Sequence, residues 1–173
     1  DCAILFSSNS TYATLWGGLS DDNDRIISAY TVAGPCLRSW SQFVSDRQIE
    51  RGERDLNDYK VLYVPYNAYA TPELLDKLKE YARGGGAVIC TDTDAFTWNI
   101  NGETFGDAWT GFVGVRKTGD RESPAEMRFV AGNSIFSEPS LAITPLVAGS
   151  RIEPVSRNVE ILAVFDDGTP GIT

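Results

Sequence analysis

The sequence predicts an α/β domain in which a mostly parallel sheet carries helices on both faces and has an antiparallel edge near the C-terminus. Three observations favour this fold. A short apolar run lies at residues 2–6, a strand–helix–strand pattern occupies residues 60–91, and a turn signal at residues 166–168 separates two apolar segments. Two parallel strands joined by a helix require a right-handed crossover.

The N-terminal third predicts one strand and one helix. Residues 2–6 are continuously apolar and residues 7–10 are polar, which predicts a strand buried on both faces that ends in a loop. A further loop around residues 16–18 precedes three acidic residues that suit a helix N-terminus. The apolar stripe of that helix consists of Ile26, Tyr30, Ala33, Leu37 and Trp40. Because Gly34 and Pro35 interrupt the stripe, the helix either kinks there or ends near Ala33 before a second short helix.

The central part contains the clearest pattern. Residues 42–44 are a strand candidate, and the charged residues 46–58 look too polar for the core. Residues 60–65 form an apolar strand that ends at a proline, and Thr71 with Pro72 begins a helix. The predicted buried face of this helix consists of Leu74, Leu75, Leu78, Tyr81 and Ala82. Three glycines at 84–86 end it, and residues 87–91 predict a further buried strand.

The C-terminal part predicts weaker elements. Residues 97–124 indicate a long irregular excursion, and short strands are expected at 127–130, 143–147 and 159–165. The turn at 166–168 allows residues 170–173 to pair back as a hairpin. The chain enters a strand at once and stops within an apolar segment, so we expect residues 1–173 to form a single domain cut from a longer polypeptide.

Composition excludes several classes of function. The 173 residues carry a formal charge of −9, which disfavours nucleic-acid and anionic-membrane partners. The sequence has no histidine, so mechanisms that need an imidazole base or metal ligand are excluded. Its three cysteines, Cys2, Cys36 and Cys90, form neither a zinc motif nor a disulfide framework. The apolar runs are far shorter than the roughly 20 residues of a membrane helix.

No motif in the chain predicts a catalytic residue, a cofactor or a metal. Cys90 lies at the end of a predicted strand, but its β-branched neighbours do not suit a nucleophile elbow. The hydroxyl-rich residues 7–11 lack the glycine of a phosphate loop. A carboxylate pair among Asp92, Asp94, Glu103 and Asp107 is disfavoured, because close acidic pairs are unavoidable among 24 acids. A calcium site at Asp92 and Asp94 is disfavoured for the same reason.

A ligand crevice is the alternative to an inactive domain. In α/β sheets, ligands bind beyond the carboxyl ends of parallel strands, here those at residues 2–6, 60–65 and 87–91. The candidate ligand-binding residues at these ends are Asn9, Tyr12, Tyr66, Asn67, Asp92, Asp94 and Trp98.

Four segments, residues 46–50, 56–65, 71–81 and 83–89, together resemble a known family. They are similar to the class I glutamine amidotransferase-like domain that follows the catalytic barrel in β-galactosidases of glycoside hydrolase family forty-two. Residues 159–173 resemble the late hairpin of that domain. The resemblance implies a flavodoxin-like fold with no active-site acid and a role in trimer formation. The cysteine elbow and the histidine of true amidotransferases are missing, so the resemblance does not imply ammonia transfer.

The resemblance predicts a non-catalytic accessory or oligomerisation domain of a β-galactosidase-like hydrolase. Its expected partners are the catalytic barrel of the parent chain and symmetry-related subunits, with no nucleic acid, membrane or cofactor. The alternative is a stand-alone domain that binds a small molecule or sugar at the strand-end crevice. Secretion or a periplasmic location suits such a hydrolase, whereas an odd thiol argues against a strongly oxidising compartment, so the location stays open.

Overall fold

A computed structural model describes residues 2–17, 21–32, 34, 40–133, 135, 141–145 and 148–173. They fall into two compact units, residues 1–109 and 110–173, and the prediction of a single domain stays a prediction. The strands are β1 Cys2–Phe6, β2 Ser41–Ser45, β3 Val61–Val64, β4 Tyr69–Ala70, β5 Ala87–Cys90, β6 Trp98–Asn99, β7 Val115–Asp120, β8 Met127–Phe129, β9 Ala142–Ile143, β10 Ser150–Pro154, β11 Ala163–Phe165 and β12 Pro170–Ile172. The helices are α1 Ser8–Gly17, α2 Asp21–Thr31, α3 Asp46–Glu50, α4 Pro72–Arg83 and α5 Asp107–Val113.

The first unit contains a four-stranded parallel sheet with the order β2-β1-β3-β5. The mixed α/β fold with a mostly parallel sheet, predicted from the sequence, is therefore confirmed. Strand β1 lies in the centre, and its residues 3–5 are fully buried, as its apolar composition predicts. A short parallel pair, β4 with β6, lies beyond the ends of β3 and β5.

The two faces of this sheet are covered by different helices. Ala3, Leu5, Val44, Leu62 and Val64 face α4, whose buried residues Leu74, Leu75, Leu78 and Tyr81 complete the main core. Side chains alternate along a strand, so Ile4 points to the opposite face. There α2 packs along β1 and buries Ile26 and Ala29.

Local chemistry determines the bounds of α4. The Thr71 hydroxyl accepts a hydrogen bond from the Leu74 N–H at 3.1 Å, and Pro72 occupies the first turn, as predicted. The helix ends at three glycines. Gly85 has a φ of 99°, and a Cβ on Gly86 would lie 2.2 Å from the Tyr81 ring, so this turn requires glycine at both positions.

Three expectations about the first unit are wrong. Residues 8–10 belong to helix α1 rather than to a loop, and so do Trp16 and Gly17. The charged segment contains helix α3 and the buried residues Asp46, Ile49 and Leu56. Strand β5 exists but is an exposed edge strand, with Ile89 49 % exposed, rather than a buried one. The described part of α2 ends at Thr31, and the stripe residues Ala33 and Leu37, together with Pro35 and Cys36, lie outside the described residues.

The second unit is antiparallel. Strand β7 pairs with β10, and a second sheet has the order β12-β11-β8-β9. The predicted C-terminal hairpin is confirmed as β11 with β12. Strand β10 was not predicted, and the expected irregular excursion contains β6, α5 and β7 instead. Residues 146 and 147 of the expected strand at 143–147 lie outside the described residues.

A buried arginine holds the hairpin turn of the second unit. The Arg121 guanidinium donates to both carboxylate oxygens of Asp167 at 3.1 and 3.2 Å and lies 3.6 Å from the centre of the Phe165 ring. It also donates to the Thr169 hydroxyl. These hydrogen bonds hold the pKa of Asp167 well below its usual range.

Candidate functional site

The carboxyl ends of β1 and β3 meet in a network of buried polar side chains. Ser10 and Asn67 are fully buried, and Ser7 is almost so. The Ser10 hydroxyl accepts hydrogen bonds from the Ser7 hydroxyl at 2.8 Å and from the Tyr69 N–H at 3.0 Å. The Ser7 hydroxyl in turn accepts from the Ser10 N–H at 3.0 Å and so caps helix α1. The Ser10 hydroxyl also lies 3.5 Å from Asn67 Oδ1, so the network joins segments 57 residues apart in the chain.

A carboxylate of the chain itself lies at the N-terminus of α1. Asp46 is fully buried, and its Oδ2 accepts from the Asn9 N–H at 3.0 Å. Its Oδ1 accepts from the Arg47 N–H at 2.7 Å. A helix N-terminus beyond a parallel strand is a common anion site. Asp46 fills that role here, and the Arg47 guanidinium lies 5.4 Å from the centre of the Tyr12 ring.

Tyr66 and Asp92 are brought together by an arginine that the sequence analysis did not select. The Arg25 guanidinium of α2 lies 5.2 Å from the centre of the Tyr66 ring and 3.9 Å from Asp92 Oδ2. The Asp92 side chain is only 8 % exposed. Its Oδ1 accepts from the Asp94 N–H at 3.0 Å, which is the hydrogen bond of an Asx turn.

The loop after β5 runs over the strand ends and is anchored in the core. Phe96 is buried, adopts a φ of 57°, and its N–H donates to the Asn67 carbonyl at 2.7 Å. Its ring lies 4.2 Å from that of Trp109. Trp98 follows in β6, opposite Tyr69, and is 38 % exposed. A positive φ at a bulky residue is strained, so the buried ring contacts hold this loop in place.

The seven sequence-predicted ligand residues thus take part in separate local arrangements. Asn9 and Tyr12 lie beside Asp46 and Arg47, whereas Tyr66, Asp92 and Asp94 lie around Arg25. Asn67 belongs to the serine network, and Trp98 belongs to β6. Whether any of them binds a ligand stays a prediction.

Cys90 has a thiol that resists ionisation. Its sulfur donates to the Asp92 carbonyl at 3.3 Å. Although the residue belongs to the exposed edge strand, the surrounding protein desolvates the thiol, and this raises its pKa to about 11. The nearby Asp92 carboxylate acts in the same direction. A raised pKa leaves very little thiolate at neutral pH.

Among the described residues, no three acidic or cysteine side chains converge in the arrangement of a metal site. No helix in the same residues is long and apolar enough to cross a bilayer.

A cavity lies at the other end of the parallel sheet, where β1 and β3 begin. It has a volume of about 220 Å³ and is lined by Cys2, Trp40, Gln42, Arg54, Asp58 and Tyr59. None of these residues was predicted as a ligand contact. They come from four separate segments, and no sequence motif brings them together.

The fold and the strand ends define an α/β protein of the flavodoxin-like type. No protein-family model matches the chain, and no curated protein does. Several solved structures are similar to the chain. A β-galactosidase from Bacillus circulans sp. alkalophilus shares 16 % identity at a TM-score of 0.70, with 98 % of this chain and 26 % of that chain covered.

Two further structures show the same relation. A GH42 β-galactosidase from G. stearothermophilus has a TM-score of 0.71 at 13 % identity, with 98 % of this chain and 25 % of that chain covered. An exo-β-1,4-mannosidase from Opitutaceae bacterium strain TAV5 has a TM-score of 0.60 at 15 % identity, with 98 % and 28 % covered. The chain therefore spans about a quarter of these enzymes, and at such identities the likeness shows a common fold.

Proposed function

We propose that the chain is a non-catalytic accessory domain, of the glutamine amidotransferase-like type, within a larger β-galactosidase-like hydrolase. Its role is to hold a catalytic barrel or a symmetry-related subunit in position. The proposal rests on how much of each chain the structural match covers. The match with each of two β-galactosidases includes 98 % of this chain but only 25–26 % of the enzyme. A fold that recurs as a quarter of a longer enzyme is expected to act beside its catalytic part.

The chemistry of the strand ends supports a structural role. The Asp46 carboxylate accepts a hydrogen bond from the N-terminus of α1, and the hydroxyls of the buried Ser7 and Ser10 are hydrogen-bonded to each other. The Asp92 carboxylate accepts a hydrogen bond within its own turn. The Cys90 thiol is protonated at neutral pH, because its pKa is raised to about 11. A catalytic group needs a pKa matched to its task, and this thiol lacks one.

A partly exposed apolar row on the α2 face of the sheet supplies the contact surface that the proposal needs. Phe43, Ile4, Tyr63 and Ile89 lie side by side across the sheet, and Ile4 is buried where α2 packs along β1. Phe43 and Ile89 are 47 % and 49 % exposed, and Tyr30 stacks on Phe43 at 5.2 Å. We propose that a second copy of the chain covers the exposed residues of this row, because they carry no charge and two negatively charged copies meet there without local repulsion.

Sedimentation velocity tests the contact surface. Wild-type chain is expected to associate as the concentration rises from about 1 to 200 μM, with a trimer as the expected product. Ile89→Asp places a charge in the row and should weaken association at least tenfold. Ile100→Asp is the matched control, since Ile100 is also exposed, at 58 %, and lies outside the row. Equal association of all three proteins would overturn this surface.

Enzyme assays test the non-catalytic role. The purified chain should hydrolyse neither nitrophenyl β-galactoside nor glutamine above background. Turnover that Asp92→Asn or Cys90→Ser abolishes would contradict the proposal, because those changes remove the titratable groups at the carboxyl end of β5.

A stand-alone binding domain is the second candidate, and one observation favours it. The side-chain Nδ2 of the fully buried Asn67 has no hydrogen-bond acceptor among the described residues. A ligand carbonyl at the strand ends would satisfy it. Thermal shifts with galactose and with small carboxylic acids test this candidate: a shift that Tyr66→Ala removes supports it, and no shift with any of these compounds contradicts it.

A further inference from the structure

The cavity at the beginning of β1 and β3 differs in chemistry from the strand ends already described. Its wall includes an aromatic ring, an amide, a phenol, a cation and an anion, from Trp40, Gln42, Tyr59, Arg54 and Asp58. Its volume of about 220 Å³ is below the roughly 300–1,000 Å³ of pockets that hold drug-sized ligands. It therefore has room for one small ring.

Trp40 offers an apolar platform at this cavity. The residue is 79 % exposed, more than any other large hydrophobic residue described in the structure. An exposed indole ring at a cavity offers an apolar face on which a ring-shaped ligand with an apolar face can pack. The neighbouring polar side chains would then form hydrogen bonds with the edge of the same ligand.

The amide of Gln42 is fixed by a neighbour. The Tyr59 hydroxyl donates to Gln42 Oε1 at 3.2 Å, which assigns the carbonyl oxygen to the protein and leaves the amide N–H groups as donors. Tyr59 is itself buried, and its carbonyl accepts from the Tyr81 hydroxyl at 3.2 Å. This wall of the cavity is therefore tied to the main core.

Arg54 and Asp58 supply opposite charges that do not neutralise each other by direct contact. Both are exposed, and neither forms an ion pair within the part of the chain that the structure describes. Their charges sum to zero, so the cavity favours a neutral ligand over an anion or a cation. Asp58 accepts hydrogen bonds and Arg54 donates them, which together suit the vicinal hydroxyls of a polyol.

We infer that this cavity binds a single neutral pyranose ring, with one face of the sugar on Trp40 and its hydroxyls on Gln42, Arg54 and Asp58. A pyranose combines a face of C–H groups with an edge of hydroxyls that both donate and accept, which matches an indole beside mixed polar groups. The inference goes beyond the proposed accessory function and does not depend on it, because the row around Ile89 and this cavity share no residue.

Titration of the ¹⁵N-labelled chain tests the inference. The sequence has four tryptophans, so the indole N–H region contains few signals, and the loss of one in Trp40→Ala assigns that of Trp40. Methyl β-galactopyranoside and methyl β-glucopyranoside should shift the Trp40 signal saturably, with dissociation constants of about 1–10 mM for a single ring with little buried area. Glycine, as a zwitterion that could bridge Arg54 and Asp58, should not.

Variants separate the contributions of the platform and the charge. Trp40→Ala should abolish saturable binding, measured on the remaining amide signals, and Trp40→Phe should retain part of it. Asp58→Asn should weaken binding at least fivefold. Asp76→Asn is the matched control, because Asp76 is an exposed aspartate on α4 away from the cavity, and it should bind as the wild type does.

Three outcomes overturn the inference. They are the absence of saturable shifts with either glycoside up to 100 mM, retention of binding in both Trp40→Ala and Asp58→Asn, and saturable binding of glycine alone. The inference survives a failure of the proposed function if Ile89→Asp leaves glycoside binding unchanged, since that variant tests only self-association.

Discussion

The two ends of the parallel sheet in the first unit differ in how they use their polar groups. At the carboxyl ends, Asp46, Ser7 and Ser10 are buried and bond one another or the backbone. At the amino ends, Arg54 and Asp58 are exposed beside a cavity and lack ion pairs within the described residues. Ligands of α/β sheets usually lie at carboxyl ends, so the observed distribution is the reverse of the usual one.

The difference indicates that Asp46, Ser7 and Ser10 at the carboxyl ends stabilise the fold, whereas the charges at the amino ends are left exposed to solvent. A buried carboxylate at a helix N-terminus costs desolvation that its hydrogen bonds must offset. Such a group is expected to affect folding strongly and ligand binding little. An exposed and unpaired charge is expected to do the opposite. Mutations at the two ends should therefore separate stability from binding.

The largest effect is expected at Asp46. Asp46→Ala removes the acceptor of the Asn9 N–H and leaves that partly buried donor unsatisfied at the start of α1. The free energy of unfolding should fall by about 3 kcal/mol, measured by urea denaturation with circular dichroism. Asp46→Asn keeps one carbonyl oxygen and should lose less. A loss below about 1 kcal/mol for the alanine variant would show that the carboxylate does not hold this end together.

The next largest effect concerns the reactivity of Cys90. A rise of the thiol pKa from 9.0 to about 11 favours the protonated form, so thiolate appears only as the pH approaches 11. In a Cys2→Ser, Cys36→Ser background, alkylation by iodoacetamide at pH 8 should be about a hundredfold slower than for a thiol of ordinary pKa. Its rate should rise about tenfold per pH unit up to pH 10. The same protein in urea is the control and should react normally. A plateau below pH 9 in the folded protein would contradict the expectation.

A smaller effect is expected at Ser10. Ser10→Ala removes the acceptor of the partly buried Tyr69 N–H at 3.0 Å and of the Ser7 hydroxyl at 2.8 Å. The expected loss of stability is about 1–2 kcal/mol by urea unfolding. Ser8→Ala is the matched control in the same helix, and no side-chain hydrogen bond of Ser8 is described, so a change under about 0.5 kcal/mol is expected. Equal losses at both serines would show that the network is not what stabilises this end.

Strongly periodic or capped segments were predictable from the sequence. Strand β1 and helix α4 follow directly from an apolar run and from Thr71 with Pro72. Helix α1 did not, because its sequence is rich in serine, threonine and asparagine and has no regular apolar stripe. The Ser7 cap that starts it is visible only when its hydrogen bond to Ser10 is seen. Helix α3 did leave a signal, since Ser45 and Gln48 form a capping box.

Burial and sites were harder to predict than elements. The apolar run at residues 87–90 is compatible with a central strand and with an edge strand. Only the strand order β2-β1-β3-β5 shows that this strand lies at an edge of the sheet. Asp46 looked like a surface charge, because its partner Asn9 lies 37 residues earlier in the chain. The cavity residues are equally scattered along the chain. They come together only because the sheet topology brings the beginnings of the strands to one end of the sheet.

The smallest stability effect is expected at the amino end of the sheet. Asp58→Asn should change the free energy of unfolding by less than about 0.5 kcal/mol, because an exposed carboxylate without an ion pair loses little when it is neutralised. Urea unfolding beside Asp46→Asn gives the comparison directly, since both changes replace an aspartate by its amide. If Asp58→Asn costs as much as Asp46→Asn, its carboxylate serves the fold as Asp46 does, and the contrast between the two ends of the sheet is lost.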